Sequence, residues 1–265
     1  MKKTVLLVVN PTGEYMRKVA RRARKSGLVD EVRTAGETPE EFAAAMRSLD
    51  KNDDLIIAKG LIETAAFLRL IFGYDDKALI KGGRAGFVSH CFILEKRHNW
   101  FWHKKPWILT DAAVNIAPTA EQKAVIAQNA VDMARSVLGI RCPVLSVLTA
   151  AGRENPKIRS SVDGKWIIDG GRVAGADLRL DQFDTAISTS ARRLKKLGGG
   201  PADIMLANDL DSGNPLFKAH SMRAGYRAAG LVLGCAVPVV LNSRFDAAES
   251  KLLSIWYAKK LLSIN

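Results

Sequence analysis

Short apolar runs of strand length alternate along this chain with longer stretches whose apolar residues recur at helical spacing. Thr4–Asn10 (TVLLVVN) is a continuous aliphatic run, and Tyr15–Ser26 sets alanines and valine against arginines and lysines with a helical period. Val29–Thr34 predicts a second strand. Pro39–Leu49 predicts a helix opened by Thr38, with Glu41 at the capping-box spacing. Asp54–Ala58 reads as a buried strand ending at Lys59-Gly60, and Thr64–Phe72 as the next helix. Gly86–Leu94 and Trp107–Thr110 read as strands flanking an aromatic hairpin. Ala120–Leu138 is a long helix with Val125, Ala130, Val131, Ala134 and Leu138 at helical spacing, and Gly139 ends it.

Pro143–Thr149 opens what reads as a second lobe. From Ser160 to Asp184 glycine and aspartate obscure any period, and no element is assigned. The pattern returns with a helix at Thr185–Leu197, a loop at Gly198–Pro201 and a strand at Asp203–Ala207. A helix over Pro215–Ala229, strands at Leu231–Gly234 and Val237–Asn242, and a helix over Ala247–Leu262 complete the chain. Strands and helices in alternation predict an α/β fold with mostly parallel sheets.

The 265 residues suffice for two compact lobes or one large α/β domain. No apolar run reaches the roughly 18 residues of a membrane span, so no membrane association is expected. The opening MKKTVLLVVNPTGE has the charge and apolar run of a signal peptide without a small-residue cleavage site. It reads as a first strand, and the expected location is cytoplasmic. Cys91, Cys142 and Cys235 lack paired spacing and lie in apolar runs, which predicts three reduced, buried packing residues. The four histidines show no metal-ligand spacing.

A net charge of +13 changes the picture more. Basic clusters stand at Arg17–Lys25, Lys96–Lys105 and Arg192–Lys196. An excess of this size attracts polyanions, nucleic acid among them. The first and third clusters fall on amphipathic helices, where a solvated charged face is the simpler reading, so nucleic acid is not the expected partner. The second carries Trp100, Phe101 and Trp102, which read equally as a base-stacking platform, an exposed hairpin or a dimer contact.

Candidate chemistry gathers where strands give way to helices. Asp209, Ser212, Gly213 and Asn214 share one such junction, and Ser243, Arg244 and Asp246 the next. Free helix N–H groups and the helix dipole favour anions there, which points to phosphate handling. Asp246 reads equally as an N-cap, and Gly213-Asn214 as a tight turn.

Several collinear segments carry a family resemblance. They are Lys59-Gly60 with Thr64–Arg69, LIKGGRAGFVSH at 79–90, ILTDAAVNIAP at 108–118, NPKI at 155–158, DTAIS at 184–188, and the stretch 207–255 with SGNPLFK and SRFD. In these the chain resembles the phosphate acetyl/butyryltransferase family, closer to its butyryl branch. The resemblance implies a two-lobed, three-layer α/β/α fold like that of isocitrate and isopropylmalate dehydrogenases, with an active site in the interlobe cleft. Lobe one is expected from 1–141 plus 231–265 and lobe two from 142–230, in a homodimer or larger assembly. The implied reaction converts a short-chain acyl-CoA and inorganic phosphate into acyl phosphate and coenzyme A, with no cofactor or metal.

By the same resemblance Ser243 and Arg244 are the catalytic pair, Arg244 holding phosphate and Ser243 bonding thiol or carbonyl. Acetyl-branch relatives carry an aspartate six residues past this arginine, where this chain has Ser250; Asp246 of SRFD is the substitute base. Lys59, Gly60, Ser89, His90, Asp111 and Asn115 end strands and are expected to face the cleft, with buried-turn roles as the alternative for Asp111 and Asn115. Asp209, Gly213, Asn214, Lys218 and Arg223 complete the expected substrate contacts. The family's VDGPL is replaced by Val173-Ala174-Gly175-Ala176-Asp177, and its proline before Asp209 by Asn208. These departures leave an alternative: a catalytically degenerate relative that binds CoA, acyl phosphate or a partner protein without turnover.

Overall fold

All six residues of β1 (Thr4–Val9) are buried, which a strand achieves when other layers cover both of its faces. The computed structural model describes residues 2–10, 14–73, 86–96, 105–182, 201–244 and 246–264. The chain divides into two compact units, Met1–Val88 with Ala228–Asn265, and Ser89–Arg227.

In the first unit β1 is followed by α1 (Glu14–Lys25), β2 (Glu31–Ala35), α2 (Pro39–Arg47), β3 (Asp54–Lys59) and α3 (Thr64–Gly73). β1 pairs in parallel with β2 on one side and β3 on the other. Right-handed crossovers then put α1 and α2 on opposite faces, because the chain steps outward to β2 and back across β1 to β3. α2 starts at the expected capping box: Thr38 Oγ1 accepts the Glu41 N–H, and the Glu41 carboxylate accepts the Thr38 N–H.

The second unit holds β4 (Ser89–Lys96), β5 (Trp107–Thr110), α4 (Ala120–Ser136), β6 (Val144–Thr149), α5 (Arg159–Asp169), β7 (Asp177–Gln182), β8 (Ile204–Leu206) and α6 (Leu210–Lys218). Its strands run in the order β4-β5-β8-β6-β7, antiparallel only at β4–β5. The chain re-enters the first unit through β9 (Tyr226–Leu233), then β10 (Val239–Val240) and α7 (Ala248–Leu262). β10 lies parallel to β3 and antiparallel to β9. No described helix is long and apolar enough to cross a membrane.

The stretch 89–141, expected with the first lobe, groups here with Ser89–Arg227. β4 and β5 extend the sheet of β8, β6 and β7, and α4 packs on β4, β5 and β8. α4 ends at the expected glycine: Gly139 has φ +70°, and the Ile140 N–H reaches back to the Ala134 carbonyl.

Three expectations are corrected. The unassigned stretch after Ser160 contains α5 and β7. The helix expected over Pro215–Ala229 starts earlier and ends sooner. Asp209 and Ser212 form a reciprocal capping box that starts α6 at Leu210, and Pro215 lies inside it. A π-helical turn over Ala219–Arg223 follows, then Gly225 turns the chain with φ +70°. Tyr226–Ala229 is strand, because burial of β9 from Ala228 onward overrides the helix preference of its alanines. Cys142 is exposed in the turn before β6, where its neighbours Ile140 and Pro143 are the buried residues. The aromatic hairpin with Trp102, the Arg192–Lys196 cluster, the helix at 185–197, the DTAIS segment and residues 79–85 lie outside the described residues.

α4 carries the least expected core group. Lys123, only 3 % exposed, donates from Nζ to Asp163 Oδ2 at 2.7 Å and to Asn208 Oδ1 at 2.6 Å. One ammonium thus ties α4 to α5 and to the loop before α6. Breaking a buried pair strands the remaining charge, so Lys123→Met is expected to cost about 3 kcal/mol in urea unfolding. A loss under about 1 kcal/mol would mean that Asp163 is satisfied without it.

Candidate active site

In the first unit the loops after β3 and β10 lie side by side, since those strands are neighbours. α1 and α3 leave β1 and β3 toward opposite faces, α1 packing with α7 and α3 with α2. The carbonyl end between β1 and β3 is therefore a switch point of the sheet, where open α/β sheets place ligands. Gly60 closes it. A Cβ at Gly60 would sit 2.1 Å from the Asn10 carbonyl oxygen and 2.4 Å from that of Val9, so no larger residue fits without moving backbone. Lys59, the last residue of β3, is 4 % exposed.

The loop after β10 is held from three sides. Asp246 Oδ2 accepts the Ser243 N–H at 2.9 Å and the Asn242 amide at 3.3 Å. The Asp246 carbonyl accepts the Tyr15 hydroxyl at 2.8 Å, and Lys251 Nζ donates to the Ser243 carbonyl at 2.7 Å. Asp246 is no N-cap: Ala247 holds that position on α7, with no side-chain cap bond. Arg244 is exposed, and among the described residues its guanidinium makes no hydrogen bond or ion pair.

Charge in this cluster is one-sided. Burial first, then repulsion from Lys251 and Arg244, pushes Lys59 down to about 8, against the opposing pull of Asp246 and Glu63. Burial also lowers Lys251, with Asp246 opposing. Among the described residues neither lysine has a salt-bridge partner.

The second unit gathers the remaining candidates, most of them already bonded. Asp111 Oδ1 accepts the N–H groups of Ala113 and Val114, and its Oδ2 accepts the His90 N–H at 2.9 Å and the Asn115 amide at 2.6 Å. The carboxylate is thus the knot of the turn after β5. Ser89 and His90 are fully buried; Ser89 Oγ accepts the Asn129 amide, and the His90 ring meets Phe92 edge-on at 4.4 Å. A Cβ at Gly213 would lie 2.7 Å from the Asp111 carbonyl oxygen, and Asn214 donates to the Ala112 carbonyl at 3.0 Å. These two residues press α6 onto that turn. Burial pushes the Asp209 carboxyl up, but bonds from the Ser212 side chain and backbone and from Asn208, with the Lys123 charge, leave it below the ordinary value. Lys218 ends α6, and Arg223 ends the π-helical turn; both are exposed. Among the described residues no three His, Cys, Asp or Glu side chains are placed to hold a metal ion.

Residues 7–258 match the family model described as "Phosphate acetyl/butaryl transferase". The chain belongs to that family. The phosphate acetyltransferase of Rickettsia typhi is 32 % identical over 232 residues, 84 % of this chain and 64 % of that protein. The probable phosphate butyryltransferase of Bacillus subtilis is 32 % identical over 228 residues, 82 % and 73 % of the two chains. The phosphate butyryltransferase of Clostridium acetobutylicum is 28 % identical over 288 residues, 96 % and 91 % of the two. The chain thus spans 64 % of the length of the Rickettsia typhi relative. A branched-chain phosphotransacylase from Enterococcus faecalis V583 shares the fold, with TM-score 0.81 at 24 % identity over 99 % of this chain and 100 % of that one.

Ser250 is buried. Its Oγ takes the Ala228 N–H at 3.5 Å, and one turn on Ser254 takes the Gly230 N–H at 3.0 Å. Ser250 and Ser254 thus dock α7 onto β9. Asn208 bonds both Lys123 and Asp209. Lys251 and Lys123 went unmarked in the sequence, since a lysine within a helical period reads as solvated. The only hint for Lys251 was its place beside Leu252, Leu253 and Ile255.

The lysine pair gives stability a defined pH dependence. Lys59 has an ordinary value of 10.5 unfolded and about 8 folded. Between those values the unfolded chain binds more protons, so stability rises with pH through that window, and the cost of the buried charge is present in full at pH 7. Lys59→Met is expected to raise Tm at pH 7 by roughly 2–4 °C, with a smaller gain near pH 10. An unchanged or lower Tm at pH 7 in scanning calorimetry would show that the ammonium is well matched.

Proposed function

We propose that the chain catalyses the reversible reaction of a short-chain acyl-CoA with inorganic phosphate to give acyl phosphate and coenzyme A. The observation that carries this is Arg244: an exposed guanidinium, without a partner among the described residues, on a loop fixed by Asp246, Tyr15 and Lys251 in a chain of this family. A guanidinium so placed offers two parallel donors to a phosphate or to the oxyanion of a tetrahedral intermediate.

In the proposed chemistry a phosphate oxygen attacks the thioester carbonyl carbon. The oxyanion that forms collapses, the carbon–sulfur bond breaks and coenzyme A leaves. The proton of the attacking hydrogen phosphate passes to the leaving thiolate through Asp246, whose Oδ1 accepts no hydrogen bond among the described residues. Ser243 bonds the thiol or carbonyl. Asp111, Ser89, His90, Asn115, Asp209, Gly213 and Asn214 act by holding the turns of the second unit. The exposed cations Lys218 and Arg223 meet the phosphates of coenzyme A. The family resemblance alone supports a cytoplasmic homodimer or larger assembly.

Phosphate-dependent release of free thiol from acetyl-, butyryl- and isobutyryl-CoA tests the reading. Arg244→Ala is expected to lower turnover by roughly 10²–10³-fold with an unchanged unfolding transition. Unchanged turnover removes Arg244 from the mechanism, and no release from folded wild-type protein favours the non-catalytic CoA-binding relative.

A further inference from the structure

Six of the twelve residues of α1 are basic and all six are exposed, against a single acid, Glu14. Lys18 pairs with Glu14 at 3.1 Å, and Arg22 with Glu249 of α7 at 3.5 Å. Among the described residues Arg17, Arg21, Arg24 and Lys25 have no salt-bridge partner. Charge alone left a solvated helix face as the simpler reading, but the tertiary structure adds a groove. Tyr15, Lys18, Arg21, Arg22 and Lys25 line a space of about 300 Å³, whose other lining residues, Val19 and Ala248 of α7, are apolar. Tyr15 is 42 % exposed, and its hydroxyl is held by the Asp246 carbonyl at 2.8 Å, so the ring is fixed before any ligand arrives.

We propose that this groove binds single-stranded RNA, with phosphates along Lys18, Arg21, Arg22 and Lys25 and a base stacked on Tyr15. From Tyr15 to Lys25 the helix rises about 15 Å. That is the length of about four phosphates at roughly 3.4 Å per charge along one stacked strand. Four of the six cations on α1 are arginines, whose planar forks match phosphate oxygens in pairs. A cationic groove with an aromatic ring suits a single strand of any sequence, because every base has a face to stack. Duplexes keep their bases inside, out of reach of a ring set in a groove. A membrane surface fits worse: Met16, Val19, Ala20 and Ala23 are buried, so α1 has no apolar stripe to insert. RNA is read by proteins chiefly as unstacked single strands, which makes it the occupant and DNA the comparison.

The inference stands apart from the acyltransferase reading, since Tyr15 holds the loop after β10 by its hydroxyl and would meet a base by its ring. Fluorescence anisotropy of the full chain with labelled decaadenylate, in saturating coenzyme A, tests it. Log affinity is expected to fall with log salt at a slope of about −2 to −3, the value for three to four phosphate contacts on a single strand. Arg21→Glu combined with Lys25→Glu is expected to weaken binding about tenfold or more, with thiol release and the unfolding transition unchanged. Tyr15→Leu is expected to weaken it about fivefold or more, and Tyr15→Phe, which keeps the ring, to stay within about twofold. Paired decaadenylate–decauridylate and phosphatidylserine vesicles are expected to bind more weakly than the single strand. No binding by the wild type, full affinity in the double variant, or equal losses in Tyr15→Leu and Tyr15→Phe overturns the proposal. So does displacement of the strand by coenzyme A, or tighter binding of the duplex, the vesicles or single-stranded DNA of the same length. Should the Tyr15 variants fail to fold, the double variant and the duplex comparison decide. A chain that binds the strand without releasing thiol would sink the acyltransferase reading and leave this one standing.

Discussion

Burial of the parallel strands on both faces is the constraint from which the rest of this structure follows. β1 has no residue left for solvent, and β3 becomes fully buried from Ile56 to its end. A strand covered on two sides has no place for chemistry along its length. Polar groups are therefore driven to the strand ends, and Lys59, Arg244, Asp246 and Lys251 gather at one carbonyl edge of the first unit. Lys59 is the extreme case: it belongs to the strand by hydrogen bonding, pairing with Val9, yet carries a charge into the core.

The loops at that edge are stiffened by two devices. One is close approach: Gly60 meets the end of β1, and Gly213 meets the turn after β5, at distances that exclude a Cβ. The other is a carboxylate turned back onto its own loop. Asp111 binds three groups of the turn after β5 and the His90 N–H of β4, and Asp246 binds the backbone and side chain just before it. Held loops lose little entropy when a ligand arrives, which is what a site for small anions requires.

Ser250 satisfies the backbone of β9, a task for a hydroxyl at a buried helix–strand contact, and Asn208 links the buried Lys123 to the cap of α6. A local capping box moved the start of α6 ahead of Pro215. Burial of β9 then claimed alanines that a single-sequence reading gives to a helix.

Local signals were legible because they act over a few residues. The apolar run of β1, the Thr38 capping box, the glycine stop after α4 and the Ser243-Arg244 pair can each be read without knowing what packs against them. The stretch after Ser160 resisted because α5 buries residues such as Ser161, Asp163 and Gly164 that mimic a loop. The sequence by itself determined the alternation of strand and helix and the basic character of the chain. Only the tertiary structure decided which cations lost their water. Lys59 and Lys251 are far apart in the chain, and their charges oppose one another only because α7 packs against β3 and β10. Burial and Coulomb repulsion depend on distance in space, and no pattern along one segment encodes it.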